Sequence, residues 1–210
     1  GVDVEQVRKG IGADQRIGYS FIYPGAGYGG SCFPKDVRAL ISMAKEANIE
    51  SGLFSAVEAR NQYQKLSIVR KVQRHYGADL NGKTFALWGL AFKPETDDVR
   101  EAPALVVIKE LLTAGATIKA YDPQATETSK AALFDIDLTN LHYQMNPEAT
   151  LQDADALIIM TEWKVFRQPD FKKLASVLKD KIIFDGRNMY EPELISKYGL
   201  QYRGIGRTNE

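Results

Sequence analysis

The apolar positions between residues 33 and 76 recur with helical spacing. The first run begins at Pro34, which suits the first turn of a helix, and ends before Asn48. The second run extends from 52 to 76 without a helix breaker, so the sequence predicts one long helix there. A helix of that length is typical of a connection or an interface rather than of an average globular helix. Its basic residues are interpreted as a solvated face: Arg60, Lys65, Arg70, Lys71 and Arg74.

The segment before residue 33 is predicted to be a short helix followed by an irregular loop. Val4 and Val7 indicate the helix, and Gly10 and Gly12 are suited to ending it with a left-handed C-cap. Residues 17–34 are rich in Gly, Tyr, Phe and Pro and follow neither a helical nor a strand period. We therefore expect a loop of specific conformation there.

Beyond the turn-rich stretch 77–82, short apolar runs alternate with helical patterns. This alternation predicts an α/β fold with a doubly wound parallel sheet in residues 77–210, after a helical segment in residues 1–76. Ligands of such sheets bind beyond the carboxyl ends of the strands, which makes 89–103, 122–123 and 185–188 candidate binding loops. The predicted strands are 85–88, 117–121, 156–160 and 182–184, and the predicted helices are 104–112, 125–133 and 171–178.

Composition and charge exclude several classes of function. Lys and Arg number 27 and Asp and Glu also number 27, so no overall field favours nucleic acid or an anionic membrane. One cysteine rules out an internal disulfide, and with no signal peptide or membrane-spanning run we expect a cytoplasmic protein. His75 and His142 lack metal-ligand neighbours, so no metal site is predicted. Because the chain starts at Gly1, we expect it to be cut from a longer protein.

The stretch GYGGSCFPKD at residues 27–36 contains Cys32, the only cysteine. Glycines allow the backbone to approach a ligand, and a cysteine just ahead of a helix N-terminus is stabilised as the nucleophilic thiolate. Lys35 adds a nearby cation, and Asp36 could position or activate a water molecule. From these residues alone, a nucleophile and a small buried apolar residue remain equally open interpretations of Cys32.

The loop at 89–100 follows a predicted strand and precedes a predicted helix. It lacks the G-x-G-x-x-G pattern, so classical dinucleotide binding by this loop is not supported. Lys93 and Arg100 could contact phosphate and Phe92 could stack on a base, although an ordinary surface loop is an equally open interpretation.

Six blocks of sequence, spread over nearly the whole chain, carry a resemblance to a known family. They are DQRIG at 14–18, GYGGSCFPKD at 27–36, GLAFKPETDDVRE at 89–101, YDP at 121–123, TEW at 161–163 and FDGRN at 184–188. Their order and spacing resemble the UDP-glucose/GDP-mannose dehydrogenase family, in particular its bacterial UDP-glucose dehydrogenases.

The resemblance implies a domain organisation. Residues 77–210 would form a Rossmann-like UDP-binding domain. Residues 1–76 would be the C-terminal part of a central helical domain that forms a homodimer through the connecting helix at 52–76. The family's N-terminal NAD-binding domain would lie outside this chain, so the chain alone is expected to be inactive.

The resemblance also implies a reaction. The family oxidises the C6 hydroxymethyl group of UDP-glucose to a carboxylate and passes two hydrides in turn to two NAD⁺ molecules. Cys32 would attack the intermediate aldehyde to form a thiohemiacetal, whose oxidation gives a thioester that water hydrolyses. Asp36 matches the carboxylate that assists the water and the proton transfers.

Binding roles are implied for twelve further residues. Lys35 and Arg100 match residues that reach towards NAD, and Arg16 matches an arginine that reaches the substrate across the dimer interface. The alternatives are a GDP-mannose or UDP-N-acetylhexosamine dehydrogenase, which Ser31, Phe33 and the TEW triplet disfavour, and a non-catalytic nucleotide-sugar-binding or dimerisation module. The residues implied to bind substrate are Arg16, Phe21, Ile22, Tyr23, Pro24, Gly25, Gly29, Phe92, Lys93 and Arg187.

Overall fold

The computed structural model describes residues 2–207, so the outer ends of the two predicted segments, residue 1 and residues 208–210, lie outside the described residues. The first part of the chain is helical. Its elements are α1 (Val4–Gly12), α2 (Phe33–Glu46), α3 (Gly52–Lys65) and α4 (Ser67–Tyr76). Residues 13–32 form turns and an irregular loop, as the sequence predicts.

The prediction of one helix from 52 to 76 is wrong, because Leu66 separates α3 from α4. Leu66 has φ −86° and ψ 1°, outside the helical region. No breaker residue marks this position, so packing overrides local propensity. The apolar residues Ile68, Val69 and Val72 of α4 are buried in the core, whereas Leu53 of α3 is exposed. The two helices thus occupy different surroundings.

Two further local predictions fail for reasons of packing. Lys65, interpreted as part of a solvated face, is only 1% exposed. The expected left-handed glycine cap of α1 is absent, since Ala13 ends the helix in the right-handed region and Gly10 lies inside it. A side chain at Gly12 would overlap the ring of Tyr19, which explains the glycine by close approach rather than by backbone conformation.

The rest of the chain forms a six-stranded parallel sheet with strand order β3-β2-β1-β4-β5-β6. This confirms the α/β fold with a parallel sheet. The order reverses between β1 and β4, which opens a crevice at the carboxyl ends of those strands. The elements are β1 (Thr84–Trp88), α5 (Pro103–Thr113), β2 (Thr117–Tyr121), α6 (Thr126–Ala132), β3 (Leu141–Tyr143), α7 (Pro147–Thr150), β4 (Ala156–Ile159), a 3₁₀ helix (Lys164–Phe166), α8 (Phe171–Val177), β5 (Ile182–Asp185), α9 (Pro192–Ser196) and β6 (Gln201–Gly204).

The outermost strands, β3 and β6, were not predicted. β3 has three residues, and β6 reads Gln-Tyr-Arg-Gly, so neither presents the apolar run that identifies a buried strand. The central strands do present such runs, and every residue of β4 and β5 is buried.

Two apolar clusters cover the two faces of the sheet. One contains Phe85, Leu87 and Ile158 together with α4 and α5 side chains, and the other contains Trp88 and Leu157. Alternate residues of each central strand therefore serve opposite faces. None of the helices within 2–207 has the length and apolar character needed to cross a bilayer.

Candidate functional site

Loops that follow the strands meet at the carboxyl edge of the sheet, and Asp122 ties several of them together. This buried carboxylate follows β2 and accepts hydrogen bonds from Leu90 N at 2.7 Å and Trp163 Nε1 at 3.0 Å. It also accepts from three more backbone amides, those of Ala91, Gln124 and Ala125. The YDP and TEW blocks thus share one structural purpose, because Asp122 fixes the loops after β1, β2 and β4 to each other.

The loops after β4 and β5 are joined by an ion pair. Arg187 Nη2 lies 2.8 Å from Glu162 Oε1, and Arg187 Nε lies 2.6 Å from Glu162 Oε2. Asp185, fully buried at the end of β5, accepts hydrogen bonds from Arg187 N and from Tyr202 Oη, both at 2.8 Å. Burial raises the pKa of Asp185, and these hydrogen bonds act in the opposite direction. The predicted substrate residue Arg187 is therefore held in place before any ligand binds.

A glycine-containing segment, residues 25–30, contacts the loops that follow β1 and β5. Ala26 N donates to Gly186 O at 2.9 Å, and Gly30 N donates to Arg100 O at 2.8 Å. A side chain at Gly29 would overlap the backbone carbonyl of Glu101. The segment therefore links the loop after β5 to the loop after β1.

Helix α3 holds the same segment from another side. Asn61 Oδ1 accepts from Tyr28 N at 2.9 Å, and Asn61 Nδ2 donates to Tyr28 O at 3.1 Å. Gln64 Nε2 donates to Gly25 O at 2.9 Å. Paired backbone contacts of this kind restrict a loop that has no regular secondary structure.

Cys32 lies at the N-cap of α2, with its side chain exposed. Its carbonyl accepts the first-turn hydrogen bond from Asp36 N at 2.9 Å, so the predicted placement ahead of a helix N-terminus is observed. Lys35 Nζ pairs with Asp36 Oδ1 at 3.2 Å. The Arg100 guanidinium pairs with Asp98 at 2.7 Å, and this hydrogen bond raises the pKa of Arg100. The backbone of Arg100 contacts the segment that leads to Cys32, because its carbonyl oxygen accepts from Gly30 N.

A cleft of about 650 Å³ lies at the carboxyl edge of the sheet, next to Phe21 and Tyr23. Phe21 is fully exposed there with φ 63°, an unfavourable backbone conformation for an aromatic residue and one that tends to occur at functional sites. Residues lining the cleft include Phe21, Tyr23, Glu162, Arg167 and Arg187.

The structure brings most of the predicted site residues to this edge. Phe92 packs against Gly30, and the ammonium group of Lys93 lies 5.4 Å from the centre of the Phe92 ring. Ile22 continues the loop that contains Phe21 and Tyr23, and Pro24 lines a neighbouring groove. Arg16 is the exception within this chain. It lies exposed beyond α1 and pairs with Asp14 at 2.6 Å.

Two candidate site residues of this edge were not predicted. Glu162 belongs to the TEW block, which the sequence analysis used only for the resemblance, and Arg167 lies five residues farther along. Both follow β4, the strand at the crevice, so their position after the strongest predicted strand was the available signal.

The spacing Gly25-x-Gly27-x-x-Gly30 matches a dinucleotide fingerprint, but the structure assigns it another role. No strand precedes these glycines within the described part of the chain. Side chains at Gly25 and Gly30 would instead come within 2.8 Å of Arg187 and Phe92. Across residues 2–207 no cluster of three or more His, Cys, Asp or Glu residues is arranged to hold a metal ion.

Comparison with known proteins gives two family matches. Residues 86–192 match the UDP binding domain of the UDP-glucose/GDP-mannose dehydrogenase family, and residues 1–63 match the central domain of that family. Similar proteins include UDP-glucose 6-dehydrogenases of Pseudomonas aeruginosa, 48% identical over 208 residues, and of Bacillus subtilis (TuaD), 41% identical over 207 residues. The aligned residues are 99% of this chain in both cases.

The chain spans less than half the length of these relatives, 46% and 44%. Among solved structures, a UDP-glucose dehydrogenase from Pyrobaculum islandicum is similar with a TM-score of 0.82 and 34% identity. That match covers 99% of this chain and 44% of the other. This chain therefore belongs to the UDP-glucose/GDP-mannose dehydrogenase family.

Proposed function

We propose that this chain is the substrate-binding and nucleophile-bearing part of an enzyme that oxidises UDP-glucose to UDP-glucuronate with NAD. The observation that carries the proposal is the exposed Cys32 at the N-cap of α2, just after the glycine-containing segment that the loops following β1 and β5 hold in place. A thiol in such surroundings is suited to nucleophilic attack. The named relatives, UDP-glucose 6-dehydrogenases, support this activity over others of the family.

In the proposed mechanism, Cys32 makes a covalent bond to the substrate. Its sulfur attacks the C6 aldehyde that the first oxidation produces, and the resulting thiohemiacetal becomes a thioester by losing a hydride from C6 and the proton of its hydroxyl group. Water then attacks the thioester carbonyl, which releases the carboxylate and restores the thiol. Asp36 lies in the first turn of α2 and forms an ion pair with Lys35. Its carboxylate takes the proton from that water.

The cofactor would supply the acceptor for both hydrides. Lys35 and Arg100 fit a role towards NAD, because their side chains are 72% and 69% exposed and could contact the phosphates of the cofactor. The described residues show no glycine-rich turn between a strand and a helix, so most of the cofactor contacts are assigned to another part of the enzyme.

The UDP-glucose site is proposed to extend along the carboxyl edge of the sheet. The segment with Phe21 and Tyr23 would cover the nucleotide, while Arg187 and Lys93 would face its polar groups. Gly25 and Gly29 allow this loop to lie close against the sheet domain. Ile22, Pro24 and Phe92 would complete the apolar wall, and Arg16 would act on a partner subunit's site.

A homodimer is proposed through α3 rather than through the whole of 52–76. The apolar side chains of α4 are buried within the chain, while Leu53, Phe54 and Val57 of α3 are exposed. We further propose that residues 1–76 belong to a central segment and residues 77–210 to a UDP-binding domain. A cytoplasmic location is proposed as well.

The proposed function is tested in the full-length protein with Cys32→Ser. We expect kcat for UDP-glucose oxidation to fall by more than about 1,000-fold, as expected for loss of a covalent nucleophile. Ser42→Ala, in the exposed part of the same helix, should leave it unchanged. Normal steady-state turnover by Cys32→Ser would show the covalent mechanism to be wrong. A preference of the unmodified enzyme for GDP-mannose or a UDP-N-acetylhexosamine would overturn the substrate assignment.

A further inference from the structure

Glu101 occupies a junction between three elements that determine the position of Cys32. One carboxylate oxygen lies 2.6 Å from Arg38 Nη2 on α2, the helix that begins just after Cys32. The other lies 2.8 Å from Lys65 Nζ on α3. The residue itself belongs to the loop after β1, directly after Arg100. One side chain thus connects α2 and α3 to the sheet.

The backbone at Glu101 contacts the glycine-containing segment directly. Glu101 has φ 56°, in the left-handed region that is uncommon for a residue with a side chain. Its carbonyl group occupies the space that a side chain at Gly29 would need. Gly30, two residues before Cys32, donates to the carbonyl oxygen of the neighbouring Arg100 at 2.8 Å.

Lys65 makes the ion pairs of Glu101 costly to remove. Its side chain is almost completely buried, and it also packs against Gly27. A buried ammonium group without a partner is strongly unfavourable, so Glu101 is required where it stands. Burial raises the pKa of Glu101, but Lys65 and Arg38 outweigh that effect, and the pKa is lowered.

We propose that Glu101, held by Lys65 and Arg38, is a positioning residue that fixes the turn carrying Arg100 against the segment that leads to Cys32. Glu101 acts through its neighbours: its side chain fixes the turn at 100–101, and that turn binds the segment leading to Cys32. The inference rests on the proposed function in one respect, because the position of Cys32 matters for catalysis only if Cys32 is the nucleophile.

The environment of Cys32 can be measured without substrate, since it is the chain's only cysteine. Iodoacetate is an anion and iodoacetamide is neutral, and both alkylate the same thiolate. The ratio of their two rates therefore reports the local charge and cancels changes in the thiolate fraction or in exposure. Arg100→Gln removes the cation of the Arg100–Asp98 pair that this turn carries and should lower the ratio about threefold.

Glu101→Ala should lower the ratio about twofold, because the turn that carries the Arg100 cation is then no longer held against the segment before Cys32. The direct effect of removing a carboxylate has the opposite sign, since it favours the anionic reagent. A fall can thus come only from displacement of the cation. In the double variant with Arg100→Gln, the ratio should be no lower than with Arg100→Gln alone. Amide hydrogen exchange at Gly30 should become about tenfold faster while β1 and β4 stay unchanged.

Glu58→Gln is the matched control, because Glu58 also pairs with Arg38, at 3.2 Å, but belongs to α3 and not to the turn at 100–101. It should leave the ratio unchanged or raise it. If Glu101→Ala does not fold, Glu101→Gln serves instead, with the same direction and a smaller change.

A ratio for the Glu101 variant that equals or exceeds that of the unmodified chain, with Gly30 exchange unaltered, overturns the proposal. Because this measurement needs no nucleotide sugar, it can succeed or fail independently of the turnover test on Cys32→Ser.

Discussion

The helical segment and the sheet domain use their apolar residues differently. In the sheet domain, the central strands are buried on both faces and pack into two clusters. In the helical segment, Phe33, Met43 and Leu53 are exposed, and Leu53 is 76% exposed. The sheet domain therefore shares its core with α4, whereas α2 and α3 are linked to the sheet domain by the polar contacts described above and present an uncovered apolar surface.

The carboxylates of the two regions differ in a corresponding way. Asp122 and Asp185 organise loops within the sheet domain, and burial raises the pKa of Asp185. Glu101 instead joins the sheet domain to α2 and α3, and its pKa is lowered by its two cationic partners. The contacts inside the sheet domain should thus be more costly to remove than the contacts between the two regions.

The largest effect is expected from Asp122→Ala. Five N–H groups would lose their acceptor in a buried site, which should reduce the free energy of unfolding by roughly 3–5 kcal/mol. Asp135→Ala, which removes an exposed carboxylate paired with Lys109, should cost less than about 0.5 kcal/mol. Denaturant unfolding compares the two, and equal costs would contradict the role assigned to Asp122.

A smaller effect is expected where the helical segment meets the sheet domain. Gly29→Ala introduces a methyl group into the carbonyl of Glu101 and should cost about 1–3 kcal/mol. Gly10→Ala is the matched control, because that glycine lies inside α1 with no atom within 4 Å of the added carbon. It should stabilise the chain by about 0.5–1 kcal/mol. Thermal unfolding measures both variants. Gly29→Ala should lower the free energy of unfolding and Gly10→Ala should raise it, and changes of the same sign would contradict the close approach at Gly29.

The same contrast explains what the sequence could predict. The strands β1, β4 and β5 were predicted because a buried parallel strand needs a continuous apolar run, as in Ala156–Ile159, and the loops after β1 and β5 were predicted as their continuations. The start of α2 and the N-terminal position of Cys32 were predicted from Pro34. These features depend on local sequence.

The features that were not predicted depend on partners far along the chain. The break at Leu66 arises because α4 enters the core, and Lys65 is buried because Glu101, 36 residues away, supplies a counter-charge. The pairing of Glu162 with Arg187 likewise joins two distant blocks. A helical pattern alone could not distinguish such a lysine from a solvated one.

The next effect on the free energy of unfolding, expected from Glu101→Gln, depends on pH. Because the folded-state pKa of Glu101 lies below its ordinary value of 4.5, its stabilisation is present above that pH and is lost as the pH falls through the folded-state pKa. Glu101→Gln should therefore be less stable than the unmodified chain at pH 7, and the gap should narrow below pH 4.5. Denaturant unfolding at both pH values gives the difference. The control Glu50→Gln, an exposed position, should show no such narrowing.

The smallest effect on stability is expected at the uncovered surface of α3. Leu53→Lys changes a side chain that makes few contacts within the chain, so unfolding should shift by less than about 0.5 kcal/mol. If α3 forms the proposed homodimer, the same change should weaken self-association about tenfold, because a charge would be placed in an apolar interface.

Leu194→Lys, at an exposed apolar position of the sheet domain, is the matched control and should leave association unchanged. Sedimentation of the two variants at several concentrations tests this directly. Equal association of both variants would contradict a homodimer through α3. The exposed apolar residues of α3 would then be covered by another part of the enzyme rather than by a second copy of this chain.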